Sequence, residues 1–177
     1  MTRPIVILGS SKSDGETRRA VDMAFEGRAD CLDLQNYDFG PYDYNNANKG
    51  DDFGKVIDAV LPRDTVVFAT PVYWYSMSAR LKTFLDRLSD LITIEKTKGR
   101  ALAGKTAWLL VTGTDERLPE GFEVPFARTC AYFDIRYQRA GYLYTGANPQ
   151  LRGASEAGIK EFGNIVTGST QEKGVRS

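Results

Sequence analysis

The sequence predicts a three-layer α/β sandwich built on one five-stranded parallel sheet. Short unbroken apolar runs recur along the chain, the form taken by strands covered on both faces. Between them lie segments with apolar residues three and four apart, the spacing of helices that cover such a sheet. The length of 177 residues suits a single domain that can bury a core without disulfide or metal staples.

The first strand is Ile-Val-Ile-Leu at 5–8, followed by a polar turn over 10–17. A helix then carries Ala20, Val21, Ala24 and Phe25 on one face, with Gly27 as its stop. Residues 30–34 read as a second strand, and polar alternation puts it at the sheet edge. Residues 35–50, rich in Asn, Asp, Gly and Tyr, form a long loop, and loops of this length in compact domains usually serve function. A second helix over 51–61 turns Phe53, Val56, Ile57 and Val60 inward and ends at Pro62. The third strand spans 65–69, and a loop over 70–78 leads into a long helix over 78–91 with Leu81, Phe84, Leu85 and Leu88 inward. A strand over 106–111, a helix near 121–133, a strand near 135–143 and a helix near 153–166 complete the domain. Residues 1–167 are thus one unit, and the small polar residues 168–177 are expected to be a flexible tail. The βαβαβαβαβα alternation matches the flavodoxin-like strand order 2-1-3-4-5, whose ligands sit beyond the carboxyl ends of strands 1 and 3.

Composition narrows the chemistry. Lys plus Arg number 23 and Asp plus Glu 23, so the neutral chain lacks the electrostatic footprint of a nucleic-acid binder. There is no histidine, which removes Ser-His-Asp and Cys-His nucleophile systems and every His-based metal site. Carboxylates, hydroxyls, lysines, backbone dipoles or a cofactor must supply any reactivity. Cys31 and Cys130 form no CxxC and are expected to be buried free thiols in a reducing compartment. The apolar run at the N-terminus is too short for a signal h-region, and no stretch is long enough to span a membrane, so the cytoplasm is the expected location.

The two loops at the expected ligand end are also the most distinctive. Gly9-Ser10-Ser11-Lys12-Ser13-Asp14-Gly15-Glu16-Thr17 joins a buried strand to a helix N-terminus. That end offers unpaired N–H groups and the positive end of the helix dipole, with hydroxyls, one cation and a glycine around it. It reads either as a phosphate cradle or as a Ser-rich cap with nothing bound. The second loop, Thr70-Pro71-Val72-Tyr73-Trp74-Tyr75-Ser76-Met77-Ser78, carries three consecutive aromatics that cannot all be core. It suits a flat ring, an interface, or both. The stretch from Gly99 to Thr106 fits G-x-x-x-x-G-K-T but opens a strand rather than a helix, so it reads as a connector and not a P-loop.

These two loops, with Lys82, Asp86 and Arg87 on the following helix, resemble the NADPH-dependent FMN reductase family, whose phosphate loop runs G-S-x-[RK]-x-x-G-x-T and whose ring loop runs [ST]-P-x-Y-x-x-S-x-[SP]. The resemblance covers about 3–167. It implies that Ser10, Ser11, Lys12, Ser13, Gly15, Glu16 and Thr17 surround an FMN phosphate. It implies that Pro71, Val72, Tyr73, Trp74 and Ser76 line the flavin ring, with Thr112, Gly113 and Thr114 in a third flavin-facing loop. Glu16 departs from the Asn common in relatives, and a carboxylate beside a phosphate is tolerable only if it points away. The resemblance further implies NAD(P)H as co-substrate, a quinone, flavin or similar small molecule as acceptor, and a homodimer. The charges on the helix after the ring loop read as structural, either pairing with each other or locking that dimer. Tyr42 and Tyr44 are candidates for covering a flavin, or for packing their own loop. No side chain is required as acid or base, so no catalytic residue is assigned. A flavodoxin-type electron carrier and a binding protein on the same fold are the competing readings, although neutrality argues against a carrier.

Overall fold

A computed structural model describes residues 2–168; the tail expected over 168–177 lies, from 169 on, outside the described residues. The strands are β1 (Ile5–Leu8), β2 (Asp30–Asp33), β3 (Thr65–Pro71), β4 (Thr106–Gly113) and β5 (Arg136–Tyr144). The helices are α1 (Glu16–Phe25), α2 (Phe53–Val60), α3 (Ala79–Arg87), α4 (Asp90–Thr93), α5 (Lys96–Arg100), α6 (Val124–Tyr132) and α7 (Pro149–Val166). All strand pairs are parallel, in the flavodoxin-like order β2-β1-β3-β4-β5.

Side chains alternate across each strand, so the sheet separates two cores. Ile5, Ile7, Val66, Phe68, Leu109 and Val111 pack against α2, α3, α4 and α6. Val6, Leu8, Val67, Ala69, Leu110 and Leu143 pack against α1 and α7. On that second face the two helices touch backbone to backbone: a Cβ at Gly163 would sit 1.7 Å from the Ala24 carbonyl oxygen, so only glycine fits.

Three details differ from the sequence expectation. The single helix expected over 78–91 is two, because Leu88, Ser89 and Leu91 donate to Leu85, Asp86 and Leu88 in three-residue steps that tighten the turn. Leu81, Phe84, Leu85, Leu88 and Leu91 all remain buried through the bend, which is why the apolar period runs on across it. Helix α7 begins at Pro149 rather than near 153, since the Asn148 side chain accepts from the Gln150 and Leu151 N–H groups and Pro fits the first turn. β4 extends to Gly113, so Thr112 and Gly113 belong to the strand rather than to the loop after it.

The long loop is held by two arginines. Arg80 donates to the carbonyls of Leu34, Tyr37 and Phe39 and lies 3.9 Å from the Phe39 ring centroid. Arg87, almost fully buried, donates to both Asp51 carboxylate oxygens, to Asp90, and to the Gly40 and Asn48 carbonyls. Arg87 is therefore an internal clasp, while Lys82 and Asp86 pair on the surface of α3 at 2.5 Å. In the P-loop-like stretch, Lys105 donates to the Leu61 and Arg63 carbonyls at 2.6 Å each, the part of a connector.

Candidate functional site

Three loops meet at the carboxyl edge of the sheet, and hydrogen bonds staple them together. The Gly9 N–H donates to the Ala69 carbonyl at 2.8 Å. The Ser78 hydroxyl donates to the Gly9 carbonyl and accepts from the Leu81 N–H, so one side chain caps α3 and ties the ring loop to the first loop. The Ser78 N–H donates to the Thr70 hydroxyl. Val72 N–H donates to the Thr112 carbonyl at 2.7 Å, and the buried Thr17 and Thr112 hydroxyls lie 2.8 Å apart. Gln35 reaches from the base of the long loop to the Ser10 carbonyl at 2.9 Å.

The first loop presents an open anion cradle. No side chain caps α1 at Gly15, and the first-turn N–H groups of Glu16, Thr17 and Arg18 have no acceptor among the described residues. Ser11, Lys12 and Ser13 are exposed around this end, while Ser10 and Thr17 are buried beneath it. The Glu16 carboxylate pairs with Arg19 at 2.9 Å, which offsets its charge. Unpaired N–H groups at a helix start, hydroxyls and a lysine are the donor set for a phosphate, so the residues present fit the FMN phosphate.

The ring loop is a two-residue hairpin. Tyr73 and Ser76 exchange backbone hydrogen bonds at 2.9 and 3.0 Å, leaving Trp74 and Tyr75 at the tip. Both tip residues are left-handed, with φ of 48° and 64°. Bulky side chains adopt that region at a cost of order 1–3 kcal/mol each. Trp74 is 94% exposed and Tyr75 70%. A cavity of about 170 Å³ lies between Val72, Trp74 and Tyr75 on one side and Thr114 and Asp115 on the other. It is open, a shape that fits a planar ring edge.

The Asp115 side of this cavity is tied to β5. The Tyr142 hydroxyl donates to the Asp115 carbonyl at 2.8 Å. Burial, then the nearby Asp115 charge, pushes the Tyr142 phenol up to about 12, so it remains a donor across the neutral range. A Cβ at Gly113 would stand 2.6 Å from that hydroxyl and 3.1 Å from Val72 Cγ2, so glycine is needed for the close approach of the two loops.

The structure thus brings together Ser10, Ser11, Lys12, Ser13, Gly15, Glu16 and Thr17 on one side and Pro71, Val72, Tyr73, Trp74, Ser76, Thr112, Gly113 and Thr114 on the other. It does not bring in Tyr42 and Tyr44, whose rings pack edge to face 5.1 Å apart on their own loop. The basic residues near that helix have partners elsewhere: Arg80 clamps the long loop, Lys98 pairs with Asp58, and Arg100 donates to Thr97. Sequence reasoning missed Gln35, Asp115 and Tyr142. The position of Asp115 directly after the Thr112–Thr114 run was the one available signal; nothing local marks the other two.

Residues 2–119 match the family model described as NADPH-dependent FMN reductase. YwqN of Bacillus subtilis (strain 168), assigned as an NAD(P)H-dependent FMN-containing oxidoreductase, is 32% identical over 119 residues, covering 62% of this chain and 66% of that protein. The Trp repressor binding protein of Bacillus subtilis superposes with a TM-score of 0.71 at 20% identity, over 89% of this chain and 97% of the other. An NADPH-quinone reductase from P. pentosaceus superposes at 0.65 with 16% identity, over 92% and 98%. At those identities the two structures speak to the fold alone.

Proposed function

The chain belongs to the NADPH-dependent FMN reductase family, and on that premise we propose that it is an FMN-dependent NAD(P)H oxidoreductase that reduces a quinone, a free flavin or a similar small planar acceptor. The observation that carries this reading is the stapling of three loops into one site, with an uncapped helix start at one end and an aromatic hairpin at the other.

FMN, when bound, supplies the two-electron chemistry, and the protein supplies position and electrostatics. The first-turn N–H groups of Glu16, Thr17 and Arg18 would hold the phosphate, with Lys12 and the Ser11 and Ser13 hydroxyls completing its shell. Ser10, Gly15 and Thr17 keep this cradle in register, Thr17 through its bond to Thr112. Pro71, Val72, Tyr73, Trp74 and Ser76 would form one wall for the ring, and Thr112, Gly113 and Thr114 the other. Backbone N–H groups of these loops that are not already bonded within them would stabilise negative charge on the reduced ring without any titrating group, in the manner of an oxyanion hole. The absence of histidine from the sequence is consistent with this division of labour. A homodimer in the cytoplasm is the setting this reading carries, and the exposed Ile92, Ile94 and Tyr132 offer apolar surface for it.

The test is direct. The purified protein is incubated with FMN and desalted, and its visible spectrum is recorded; NAD(P)H oxidation is then followed with menadione as acceptor. Retained flavin and steady turnover are expected. A colourless protein that fails to hold FMN would overturn the reading, and retained flavin without turnover would turn it towards an electron carrier.

A further inference from the structure

Resting on the oxidoreductase reading above, we infer that this site selects planar aromatic acceptors that carry a positive charge, and that Trp74, Tyr75 and Asp115 make the selection. Two independent features of the cavity favour positive charge. The first is the hairpin tip. Trp74 and Tyr75 hold their rings out in solvent, on a backbone held left-handed at both residues. An exposed indole or phenol face attracts a cation through its quadrupole, Trp most strongly.

The second feature is the Asp115 carboxylate. Its backbone carbonyl is tied down by Tyr142, but its side chain joins no ion pair or hydrogen bond among the described residues. It lines the same cavity as the two aromatics. With the FMN ring edge seated in the cavity, an acceptor would approach over its rim, where the exposed Trp74 and Tyr75 side chains and the unneutralised Asp115 carboxylate stand.

The basic groups of the neighbouring elements do not cancel this. Lys12 faces Asp14 at 3.6 Å, Lys82 pairs with Asp86, and Arg80 is bound to three loop carbonyls. Glu116 and Arg117 follow Asp115 in the chain with opposite charges, and neither lines the cavity. An anionic acceptor would find no free cation lining the cavity and one carboxylate opposing it.

The chemistry balances for such an acceptor. A phenothiazinium cation takes up two electrons and one proton and becomes a neutral leuco form. NAD(P)H loses the same two electrons and proton and becomes NAD(P)+. No proton from solvent is needed, and the neutral product loses its attraction to Asp115 and to the aromatic faces, which favours release.

The experiment uses the FMN-loaded protein with methylene blue as the cation and anthraquinone-2-sulfonate as the anion. Binding of each is measured by equilibrium dialysis without reductant, and kcat/KM is then measured anaerobically with NADPH. The native protein is expected to bind methylene blue more tightly than the sulfonate. Asp115→Asn is expected to cut the cation-to-anion ratio by about fivefold, the size of one close charge contact, in both dialysis and kcat/KM. Asp115→Lys should reverse the order, and Trp74→Leu should weaken methylene blue binding by a similar factor. An unchanged ratio across native, Asp115→Asn and Asp115→Lys proteins would overturn the inference. Absence of NADPH oxidation with every acceptor, menadione included, would instead sink the oxidoreductase reading, and the dialysis ratios, which need no turnover, would still decide the charge selection.

Discussion

The Thr17 hydroxyl lies 2.8 Å from that of Thr112, two side chains far apart in sequence and both buried. Thr17→Val leaves the Thr112 hydroxyl without its partner and is expected to cost about 1–3 kcal/mol, read as a lower urea midpoint. FMN titration of the same variant should show weaker binding, because the cradle loses its tie to β4. At Gly113 the limit is steric rather than polar. Gly113→Ala drives a methyl group into Tyr142 and Val72, at about 1–3 kcal/mol for overpacking, and dislodges the hydroxyl that holds Asp115. Flavin fluorescence should report a lower affinity than in the native protein. Cys130 is buried as expected and Cys31 only half-buried; desolvation pushes the Cys31 thiol up to about 11 and Cys130 up to about 12, so both should react slowly with thiol reagents at neutral pH. The types and spacing of Ser10, Lys12, Ser13 and Thr17 were legible in the sequence. The partners of Thr17 and Gly113 were not, because they come from strands that meet only in the folded sheet.

At the scale of elements, the ring loop illustrates a conflict between local preference and placement. A two-residue hairpin with both tip residues at positive φ favours Asn-Gly. The chain places Trp74 and Tyr75 there instead. Replacing both with Asn-Gly should relieve about 1–3 kcal/mol of backbone strain and raise the melting temperature by several degrees. The same change should lower kcat/KM for acceptor reduction, so stability and activity are expected to move in opposite directions. Unchanged activity would show that the tip is only a connector. The existence of this loop, and the exposure of its aromatics, followed from the sequence; its hairpin form did not, because the turn residues that usually signal it are absent. The helix after it was likewise legible in its apolar period and not in its break at Leu88, since a tightened turn leaves the period intact.

On the scale of the whole molecule, Arg87 joins α3, α4 and the long loop. Arg87→Met strands the Asp51 and Asp90 carboxylates and is expected to cost about 3–5 kcal/mol, measured by urea denaturation. Partial burial raises the Asp51 pKa, but the Arg87 hydrogen bond and the Phe53 and Gly40 N–H groups outweigh it, so the net shift is downward. A pKa lowered in the folded state contributes stability above the unfolded value of about 3.9, and that contribution is lost as pH falls through the folded pKa. The native protein should therefore lose stability below about pH 4, and the Arg87→Met variant should show a shallower loss. Ligand linkage offers a further check: FMN at about a hundred times its dissociation constant should stabilise the protein by roughly 2.7 kcal/mol, seen as a higher melting temperature.

What the sequence by itself determined was the alternation of strands and helices, the parallel sheet order and the two loops that face the site. These are written in apolar periodicity and in local runs of Ser, Gly and aromatic residues, signals that neighbours along the chain carry. Tertiary structure alone decided which groups meet. The Ser78 link to Gly9, the Gln35 reach to Ser10, the Tyr142 support under Asp115 and the Arg87 clasp each join residues separated by a strand or a helix. Hydrogen bonds and close contacts of this kind depend on distance in space, and that distance exists only once the sheet has set the order and height of its strand ends.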